Sequence, residues 1–466
     1  MTRLTLCTIV RNEEQMLPAC LASVAGIVDE MIVIDTGSTD GTVALAEAAG
    51  ARVVRHPWTD DFSAARNAAL EHVRDGYVLV LDADERLAPG AGPALLEAVR
   101  AGRLDCGKLP LHDASRSDAS AEEVLSGAAR QGPPLLLGRL LRRTPDLAWE
   151  GLVHEHVTTW ALKGRRIETV QAPILHYGAV PEVRERLGKS SRNRRLLERA
   201  CQLEPDNAVF KTYLGQDLLH AGEHEQAAEV IGRAWELVAR LHSAHQPAPD
   251  AVATGALWAF LLLREERLDE ARVTLEQARG WSGAHPNLDL LTCVLDERYW
   301  LREGLGDPDS PLLASAAAAC ERCLAADGEV AFTSPVMPGA TSWSAATRLG
   351  TVRLLQGRPD AARDAFDSAL AERPLHIEAK LGRVEALVFE GRAAEALRDA
   401  EALLHPDVPD GWILAAAAGL QLGDYSEVAP LVEQGRRALA SRTPIADHRR
   451  WLLEELEAQA PNILPA

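Results

Sequence analysis

The sequence predicts two consecutive folds, an α/β domain at the N-terminus and an all-α array of repeated helices after it. Short apolar runs alternate with helical segments four times over residues 4–87, which is typical of a parallel sheet covered by helices on both faces. In the remaining Ala- and Leu-rich sequence, small residues recur at fixed offsets. At 466 residues the chain is long enough for more than one core. We therefore expect two domains, residues 1–180 and residues 181–466.

Four short apolar runs in the first domain are predicted to be strands, because they are too short for helices and are bounded by turn residues. These runs are Leu4–Val10, Met31–Ile34, Arg52–Arg55 and Tyr77–Leu81. Helices are predicted after the first three runs, at Met16–Ala25, Val43–Ala49 and Ser63–Val73. Two further strands are predicted downstream, at Lys108–Leu111 and Leu135–Arg143.

Polar side chains follow three of these strands. Asn12 and Glu13 follow the first strand, Asp35 comes at the end of the second, and Asp82 and Asp84 follow the fourth. Because the carboxyl ends of parallel strands lie on one edge of a sheet, we expect these groups to share a crevice. Two aspartates one residue apart suit a hard divalent cation that carries phosphates, although this stretch alone is equally compatible with a solvated acidic turn.

Composition excludes several function classes. The net charge is −19, from 49 Lys and Arg against 68 Asp and Glu, which argues against a nucleic-acid partner. The first strand lacks a following G-x-G-x-x-G, and the sequence contains no Walker A motif, so a dinucleotide site or a P-loop is poorly supported. No signal-peptide pattern and no apolar run of membrane-spanning length is found. We therefore expect a soluble, cytoplasmic protein without an integral membrane segment.

Four segments of the first domain resemble a known family. TLCTIVRNEE, VIDTGSTDGT, DFSAARNAAL and VLVLDADE occur in that order. Together they resemble the nucleotide-sugar half of the inverting family-2 glycosyltransferases, whose Rossmann-related fold is called GT-A. The resemblance covers about the first 90 residues. One departure is Asp35-Thr36, which stands where the commoner DDGSTD sequence has two acids and leaves the role of the missing acid open.

The resemblance implies a set of donor-binding residues. Thr8, Val10, Asn12 and Glu13 would line the nucleoside pocket, and Asp35 would contact the base or the ribose. Arg66 would approach the nucleotide. The Asp82-Ala83-Asp84 segment corresponds to the family's DxD motif, which holds Mn²⁺ or Mg²⁺ on the diphosphate. UDP is the nucleotide that the resemblance favours.

The sequence WEGLVHEH, ending at His156, resembles the W-x-G-x-V-H-E segment of family-2 enzymes that also carry helical repeats. Inverting transfer needs a base that removes the acceptor proton on the face away from the departing diphosphate. Glu155 is the predicted base, with Asp113 and Glu150 as the alternatives. Glu155 could instead be a structural partner of a histidine or an arginine. On an extended chain it would point away from both neighbouring histidines.

Two further features of the first domain are open to more than one interpretation. His176 follows a predicted strand and is expected to be a third metal ligand beside the DxD, or else a hydrogen-bonded structural residue. Arg139, Arg142 and Arg143 end the strand predicted at 135–143, and they face either phosphates or water.

The second domain contains a repeat. Its clearest unit places Gly350, Gly357, Ala362, Ala369 and Pro374 at offsets 0, 7, 12, 19 and 24. Gly357 and Gly391 are 34 residues apart, which is the tetratricopeptide repeat length. Such an array forms a solenoid whose concave face binds peptides or mediates self-association, or it only supports the catalytic domain. Residues 285–340 fit the template badly, as a degenerate unit or as a loop inserted around Ser334–Gly339.

The function predicted from the sequence is a metal-dependent inverting glycosyltransferase. It would move a sugar from a nucleotide diphosphate donor, with UDP as the nucleotide, to a peptide or protein side chain. A cell-envelope glycan or a lipid-linked sugar is the alternative acceptor, and a homodimer through the repeats is a further expectation. A non-catalytic repeat scaffold with a spent transferase domain is the alternative function. A nucleotidyltransferase ranks last, because Arg11–Glu14 stands where its Gly-rich basic loop would be.

Overall fold

A computed structural model describes residues 2–132, 134–180, 182–183, 189–244, 251–303, 307–326, 337–423, 425–440, 449, 452–454 and 456. The chain divides into two compact units, residues 1–249 and residues 250–466. Within the described ranges, no helix combines the length and the apolarity needed to cross a membrane.

The first unit is built on a mixed sheet, which contains nine strands among the described residues. The strands are β1 (Leu4–Val10), β2 (Glu30–Asp35), β3 (Arg52–Arg55), β4 (Tyr77–Val80), β5 (Glu85–Leu87), β6 (Cys106–Asp113), β7 (Leu135–Arg142), β8 (Ile167–Thr169) and β9 (Ile174–His176). Their order is β3-β2-β1-β4-β7-β6-β9-β5, and β8 pairs with β6. The four strands predicted first pair in parallel, as expected, whereas β7 runs antiparallel to both β4 and β6.

Helices cover both faces of this sheet. They are α1 (Leu17–Val24), α2 (Thr42–Ala48), α3 (Phe62–Leu70), α4 (Gly92–Ala101), α5 (Ala121–Ser126) and α6 (Thr158–Ala161). Along β4, Tyr77 and Leu79 pack in the cluster that includes α1, while Val78 and Val80 pack in the cluster that includes α3. Every residue of β4 is buried, which explains why this strand reads as one continuous apolar run.

The first unit continues beyond the sheet into three helices, α7 (Lys189–Leu203), α8 (Ala208–His220) and α9 (His224–Ser243). Asn207 caps α8, because its side chain accepts a hydrogen bond from the backbone N–H of Val209. The domain boundary predicted at residue 180 lies between the end of β9 and the start of α7. This boundary stays a prediction. The compact unit that contains the sheet ends at residue 249, not at residue 180.

The second unit is helical throughout its described residues. Its helices are α10 (Ala251–Arg264), α11 (Leu268–Ser282), α12 (Pro286–Glu303), α13 (Pro311–Ala325), α14 (Trp343–Leu355), α15 (Pro359–Glu372), α16 (Ile377–Phe389), α17 (Ala393–Glu401), α18 (Pro409–Leu422) and α19 (Tyr425–Ala440). Consecutive helices pack against one another in pairs. The predicted fold class, an α/β domain followed by an all-α array of tetratricopeptide type, is confirmed.

The small residues of the repeat lie where the helices of a pair approach most closely. A Cβ added at Gly350 in α14 would meet the Phe366 ring of α15 at 2.6 Å, so only glycine fits there. Gly357 links these two helices with a φ of +66°, a conformation that glycine adopts without strain. Within the poorly matching region 285–340, the described residues include the helix pair α12 and α13. Residues 334–336 of the predicted loop lie outside the described residues.

Candidate functional site

A cleft of about 300 Å³ opens at the carboxyl ends of β1, β2 and β4 in the first unit. This is the edge at which parallel sheets place their ligands. The residues that line it are Ile9, Val10, Arg11, Glu13, Thr36, Trp58, Phe62, Arg66, Asp82, Ala83, Asp84, Val153, His154, Glu155, His176, Arg192 and Asn193. Most of the side chains expected to act together therefore share one cavity.

The predicted site residues that line the cleft are Val10, Glu13, Arg66, Asp82, Ala83, Asp84, Glu155 and His176. Thr8, Asn12 and Asp35 do not line it. Asp35 is buried and accepts a hydrogen bond from the Ser38 N–H at 3.0 Å. The Asn12 side chain accepts one from the Thr39 N–H at 2.8 Å.

Asn12 and Asp35 thus fix the turn after β2, beside the cleft. Asn12 adopts a φ of +56°, which places its amide oxygen against that turn. Thr8 is fully buried in β1 and lines a separate, smaller cavity together with Trp149. The contacts of Thr8, Asn12 and Asp35 with a nucleotide stay predictions.

Two buried arginines hold Asp82 from opposite sides. Arg66 Nη2 donates to Asp82 Oδ1 at 2.8 Å, and Arg139 Nη2 donates to Asp82 Oδ2 at 3.3 Å. Arg66 also donates through Nε to Glu155 Oε1 at 2.6 Å, and Arg139 pairs with Glu85. The two guanidinium groups therefore link the DxD aspartate to both neighbouring glutamates.

This network changes the pKa values of its acids in opposite directions. Burial tends to raise the pKa of the Asp82 carboxyl, but the charges of Arg66 and Arg139 outweigh it and hold that pKa well below its usual range. Burial raises the pKa of Glu85 to about 7, and Arg139 opposes that shift without cancelling it. Asp82 is therefore ionised at neutral pH, and it faces the cleft.

His176 is oriented by a carboxylate on its far side. Its Nδ1 lies 2.6 Å from Asp113 Oδ1, and its Nε2 lies 3.7 Å from Asp84 Oδ1. Burial lowers the pKa of His176, but the hydrogen bond to Asp113 and the charge of Asp84 raise it overall to about 8. The space between Asp84 and His176 therefore attracts positive charge, either as a proton on the imidazole or as a bound cation.

Glycine at position 178 makes this approach possible. A Cβ at Gly178 would lie 1.9 Å from Asp84 Oδ2 and 2.8 Å from His176 Nε2. Real side-chain carbons do not come this close, so any other residue would push Asp84 or His176 away.

The donor set fits a cation in part. Within the described residues, no three His, Cys, Asp or Glu side chains converge tightly enough to hold a metal by themselves. Both oxygens of Asp82 are hydrogen-bonded to arginines, which leaves Asp84 and His176 as the groups that face each other. A carboxylate behind the ligating histidine, here Asp113, is the usual companion of a metal-bound imidazole. Such a site fits Mg²⁺ or Mn²⁺ that takes its other ligands from phosphate oxygens and water.

Glu155 reaches the cleft from a loop. Glu150 and His156 pair through two backbone hydrogen bonds of 2.9 and 3.0 Å, and the residues between them bulge out. His154 has a φ of +53° and stacks on Tyr213 of α8 with the ring centroids 4.2 Å apart. The chain is therefore not extended at this point, because the loop folds back on itself. Glu155 and His154 both line the cleft as a result.

The alternative bases are engaged elsewhere. Glu150 does not line the cleft, and its carboxylate accepts a hydrogen bond from Thr159 Oγ1 at 2.8 Å. Asp113 is hydrogen-bonded to His176. Glu155 itself is ion-paired with Arg66, so the structural role considered for it is present beside its position in the cleft.

The structure corrects the interpretation of the basic strand end. Arg139 faces neither water nor an open phosphate site, because it is buried and paired with Asp82 and Glu85. Arg142 donates to Tyr77 Oη at 2.8 Å and to the Leu104 carbonyl at 3.0 Å. The strand contains five leucines beside these arginines, and its sequence does not indicate which carboxylates or carbonyls the arginines contact.

Three lining residues had no sequence signal. Trp58 lies in the segment between β3 and α3, and its ring meets the ring of Phe62, the first residue of α3, edge to face with centroids 4.8 Å apart. Arg192 and Asn193 come from α7, inside the region that the sequence assigned to repeats. Only the fold brings these two groups to the strand ends.

The fold and the cleft together define an α/β domain with a GT-A-like acidic site at its sheet edge. Residues 5–128 match the family model described as Glycosyl transferase family 2. The chain therefore contains a family-2 glycosyltransferase domain followed by helical repeats, and the architecture predicted from the motifs is confirmed.

One related protein is named for its repeats and another is named as a glycosyltransferase. A TPR repeat-containing protein of Synechococcus elongatus is 38% identical over 234 residues, which cover 49% of this chain and 55% of that protein. The SPbeta prophage-derived glycosyltransferase SunS of Bacillus subtilis is 24% identical over 228 residues, covering 48% of this chain and 51% of SunS. The chain thus spans about half the length of these relatives.

Solved structures resemble separate parts of the chain. A tetratricopeptide repeat protein from Parabacteroides merdae covers 60% of this chain and 95% of its own, with 14% identity and a TM-score of 0.38. Glucosyl-3-phosphoglycerate synthase from Mycobacterium tuberculosis covers 24% of this chain and 44% of its own, with 26% identity and a TM-score of 0.22. Both TM-scores lie below 0.5.

Proposed function

We propose that this chain is a metal-dependent inverting glycosyltransferase that moves a sugar from a nucleotide diphosphate sugar, with UDP as the nucleotide, to an acceptor. The observation that supports it is the meeting of Asp82, Asp84, His176 and Glu155 in one cleft at the carboxyl edge of the sheet. The match of residues 5–128 to glycosyltransferase family 2 supports the reaction class.

Asp84 and His176 would hold the divalent cation, Mn²⁺ or Mg²⁺, with Asp82 beside them. The chemistry that the ion supplies when bound is neutralisation of the charge on the departing diphosphate. Arg66 and Arg139 keep Asp82 ionised, and the Asp113 hydrogen bond holds the His176 ring in one orientation. Ala83 leaves room between the two aspartates, because it carries only a methyl group.

Glu155 is the base in this proposal. The acceptor hydroxyl oxygen attacks the anomeric carbon while the bond to the diphosphate breaks, and its proton passes to the Glu155 carboxylate. Arg66 fixes the position of that carboxylate through the 2.6 Å hydrogen bond. The bond must loosen as Glu155 takes the proton, so Arg66 also couples the base to Asp82.

The proposed acceptor is a peptide or protein side chain, with the helical repeats as the surface that holds it. A cell-envelope glycan or a lipid-linked sugar is the competing class of acceptor. Sugar transfer from a labelled donor to a peptide library, run beside transfer to lipid-linked sugars, separates the two. Self-association through the repeats stays a prediction, which the molar mass measured by light scattering would test.

The proposed function is tested by donor hydrolysis with and without Mn²⁺ in the wild type, Asp84→Asn and Asp118→Asn. We expect cation-dependent hydrolysis that falls by about 10²-fold or more in Asp84→Asn, because one metal ligand is lost. Asp118→Asn is the matched control, since Asp118 is exposed and lies outside the cleft. Hydrolysis that ignores both the cation and Asp84 would contradict the mechanism, and a wild type that binds no nucleotide would favour a spent transferase domain.

A further inference from the structure

Helix α7 supplies a cation to the cleft. Arg192 and Asn193 line the cavity beside Asp82 and Asp84, although they follow the last strand of the sheet and belong to the predicted repeat region. The helix and the sheet belong to the same compact unit, residues 1–249.

Arg192 differs from Arg66 and His176, two other basic side chains that line the cleft. Arg66 is ion-paired with Asp82 and Glu155, and His176 is bonded to Asp113. Among the described residues, Arg192 forms no ion pair. Its Nε is buried without a hydrogen-bond partner, and its Nη2 lies 3.5 Å from Asn193 Oδ1, at the limit of a hydrogen bond. A guanidinium in this state retains most of its donors for another ligand.

Arg192 shares the cleft with the acidic turn. Burial is the largest influence on the Arg192 pKa and lowers it. The charge of Glu13 raises this pKa, that of Arg11 lowers it, and those of Asp84 and Asp82 raise it. These acids are the groups that would surround a cation-bound phosphate. The Nε of this half-buried guanidinium lacks a hydrogen-bond partner. An anionic ligand beside the acidic turn would supply one, together with a direct counter-charge.

The side chain is positioned before any ligand arrives. The Arg192 guanidinium lies over the Phe62 ring, 5.1 Å from its centroid. Phe62 is itself held by a backbone hydrogen bond of 2.9 Å to Leu152. One turn further along α7, Arg195 forms a 2.7 Å ion pair with Asp60, in the same segment as Phe62. The aromatic ring covers one face of the guanidinium. The N–H groups at the edge of the guanidinium therefore remain able to donate to an anionic ligand.

We propose that Arg192 binds the diphosphate of the nucleotide-sugar donor, in the cleft that it shares with Asp82 and Asp84. The inference rests on the proposed function and deepens it, because it makes the first helix after the sheet part of the donor site. Arginine suits this role, since its planar group donates two parallel hydrogen bonds to phosphate oxygens. The same group can follow the diphosphate as its negative charge grows during transfer.

The test is calorimetric binding of nucleoside diphosphates and of their parent nucleosides to wild type, Arg192→Gln and Arg195→Gln. The diphosphate that the wild type binds best, from UDP, GDP, ADP and CDP, serves as the probe. We expect Arg192→Gln to weaken diphosphate binding by about 10- to 100-fold, the usual loss for a hydrogen bond to a charged group. Nucleoside binding should change by less than about twofold, and so should all binding to Arg195→Gln, because Arg195 lies outside the cleft.

Repeating the measurement in EDTA separates this inference from the proposed metal mechanism. The Arg192→Gln effect should persist without a cation, whereas the effect of Asp84→Asn on diphosphate binding should disappear. Equal losses for diphosphate and nucleoside, or equal losses in both arginine variants, would overturn the inference while leaving the metal mechanism intact. So would unchanged diphosphate binding with a raised KM for the acceptor alone. A wild type that binds no nucleoside diphosphate would overturn both proposals.

Discussion

Each unit of the chain contains an arginine that bridges two carboxylates. In the first unit, Arg66 joins Asp82 and Glu155. In the second unit, Arg449 joins Glu385 at 2.6 Å and Asp410 at 2.9 Å. The exposed fractions of the side chains separate the two networks. They are 2%, 3% and 8% for Arg449, Glu385 and Asp410.

The first network is open on one side. Its side-chain exposures are 7% for Arg66, 13% for Glu155 and 37% for Asp82, and all three line the cleft. The same arrangement, one arginine between two carboxylates, therefore has a different role in each unit. A closed network compensates buried charges and fixes the packing around them, whereas an open one keeps charged groups ready for a ligand. Variants of equivalent positions in the two networks should have opposite effects on activity and stability.

The largest expected effect is on catalysis in Glu155→Gln. Sugar transfer should fall by about 10³-fold, because the amide is not a base, while donor affinity stays within about threefold. Steady-state transfer and calorimetric donor binding measure the two quantities. Glu150→Gln is the control, since Glu150 lies outside the cleft. Normal turnover of Glu155→Gln would remove Glu155 from the role of base.

In the closed network, Arg449→Met should lower the free energy of unfolding by about 3–5 kcal/mol, because it removes the buried positive charge that Glu385 and Asp410 share. Urea unfolding followed by circular dichroism measures this change. Arg437→Met should change it by less than about 0.5 kcal/mol, because the Arg437 ion pair with Glu433 is exposed. Transfer by the folded Arg449→Met protein should be unchanged, and a loss of activity at full folding would contradict the separation of roles.

Arg66→Met tests the open network directly. We expect stability to fall by only about 1–3 kcal/mol, because water reaches the partly exposed Asp82 and solvates its charge. Transfer should fall by about 10²-fold, since Glu155 loses the partner that orients it. Melting curves and kinetics of the same preparation give both values. A stability loss as large as that of Arg449→Met would show that the Arg66 network stabilises the fold as much as the Arg449 network does.

The smallest expected effect comes from one methyl group in Gly178→Ala. It would displace Asp84 or His176, so transfer should fall by about 10- to 100-fold and the Mn²⁺ concentration for half-maximal activity should rise. Gly280→Ala is the control, because a Cβ at this position of α11 meets no atom within 4 Å. It should leave activity unchanged and raise stability by about 0.5–1 kcal/mol. Equal kinetics in the two variants would contradict the role of Gly178.

Much of the open network was predictable from sequence. Asp82 and Asp84 follow a strand whose residues are all apolar, and the chain order of the strands places their carboxyl ends on one edge. Glu155 was found through the resemblance of its segment to family-2 enzymes. Its loop conformation was missed, because a positive φ at His154 is decided by stacking on Tyr213 rather than by the local sequence.

The pairing of charges was not predictable. Arg139 and Arg192 lie in segments whose local pattern fits a solvated face as well as a site. Their partners and surroundings come from residues 54 to 130 positions away, as in the pairing of Arg139 with Glu85 and the packing of Arg192 on Phe62. The Arg449 network was missed for the same reason, since Glu385 is 64 residues from Arg449.

The sequence by itself determined the two fold classes, the parallel strands and the position of the acidic turn, because apolar periodicity and turn residues act over short distances. The repeat was equally legible, because close packing of paired helices requires small residues at fixed offsets. Only the tertiary structure decided which charges meet. It turned Asp82 into a carboxylate held by two arginines, left Asp84 facing His176, and brought Arg192 of α7 into the cleft. Electrostatic pairing depends on distances across the fold, and local sequence carries no record of them.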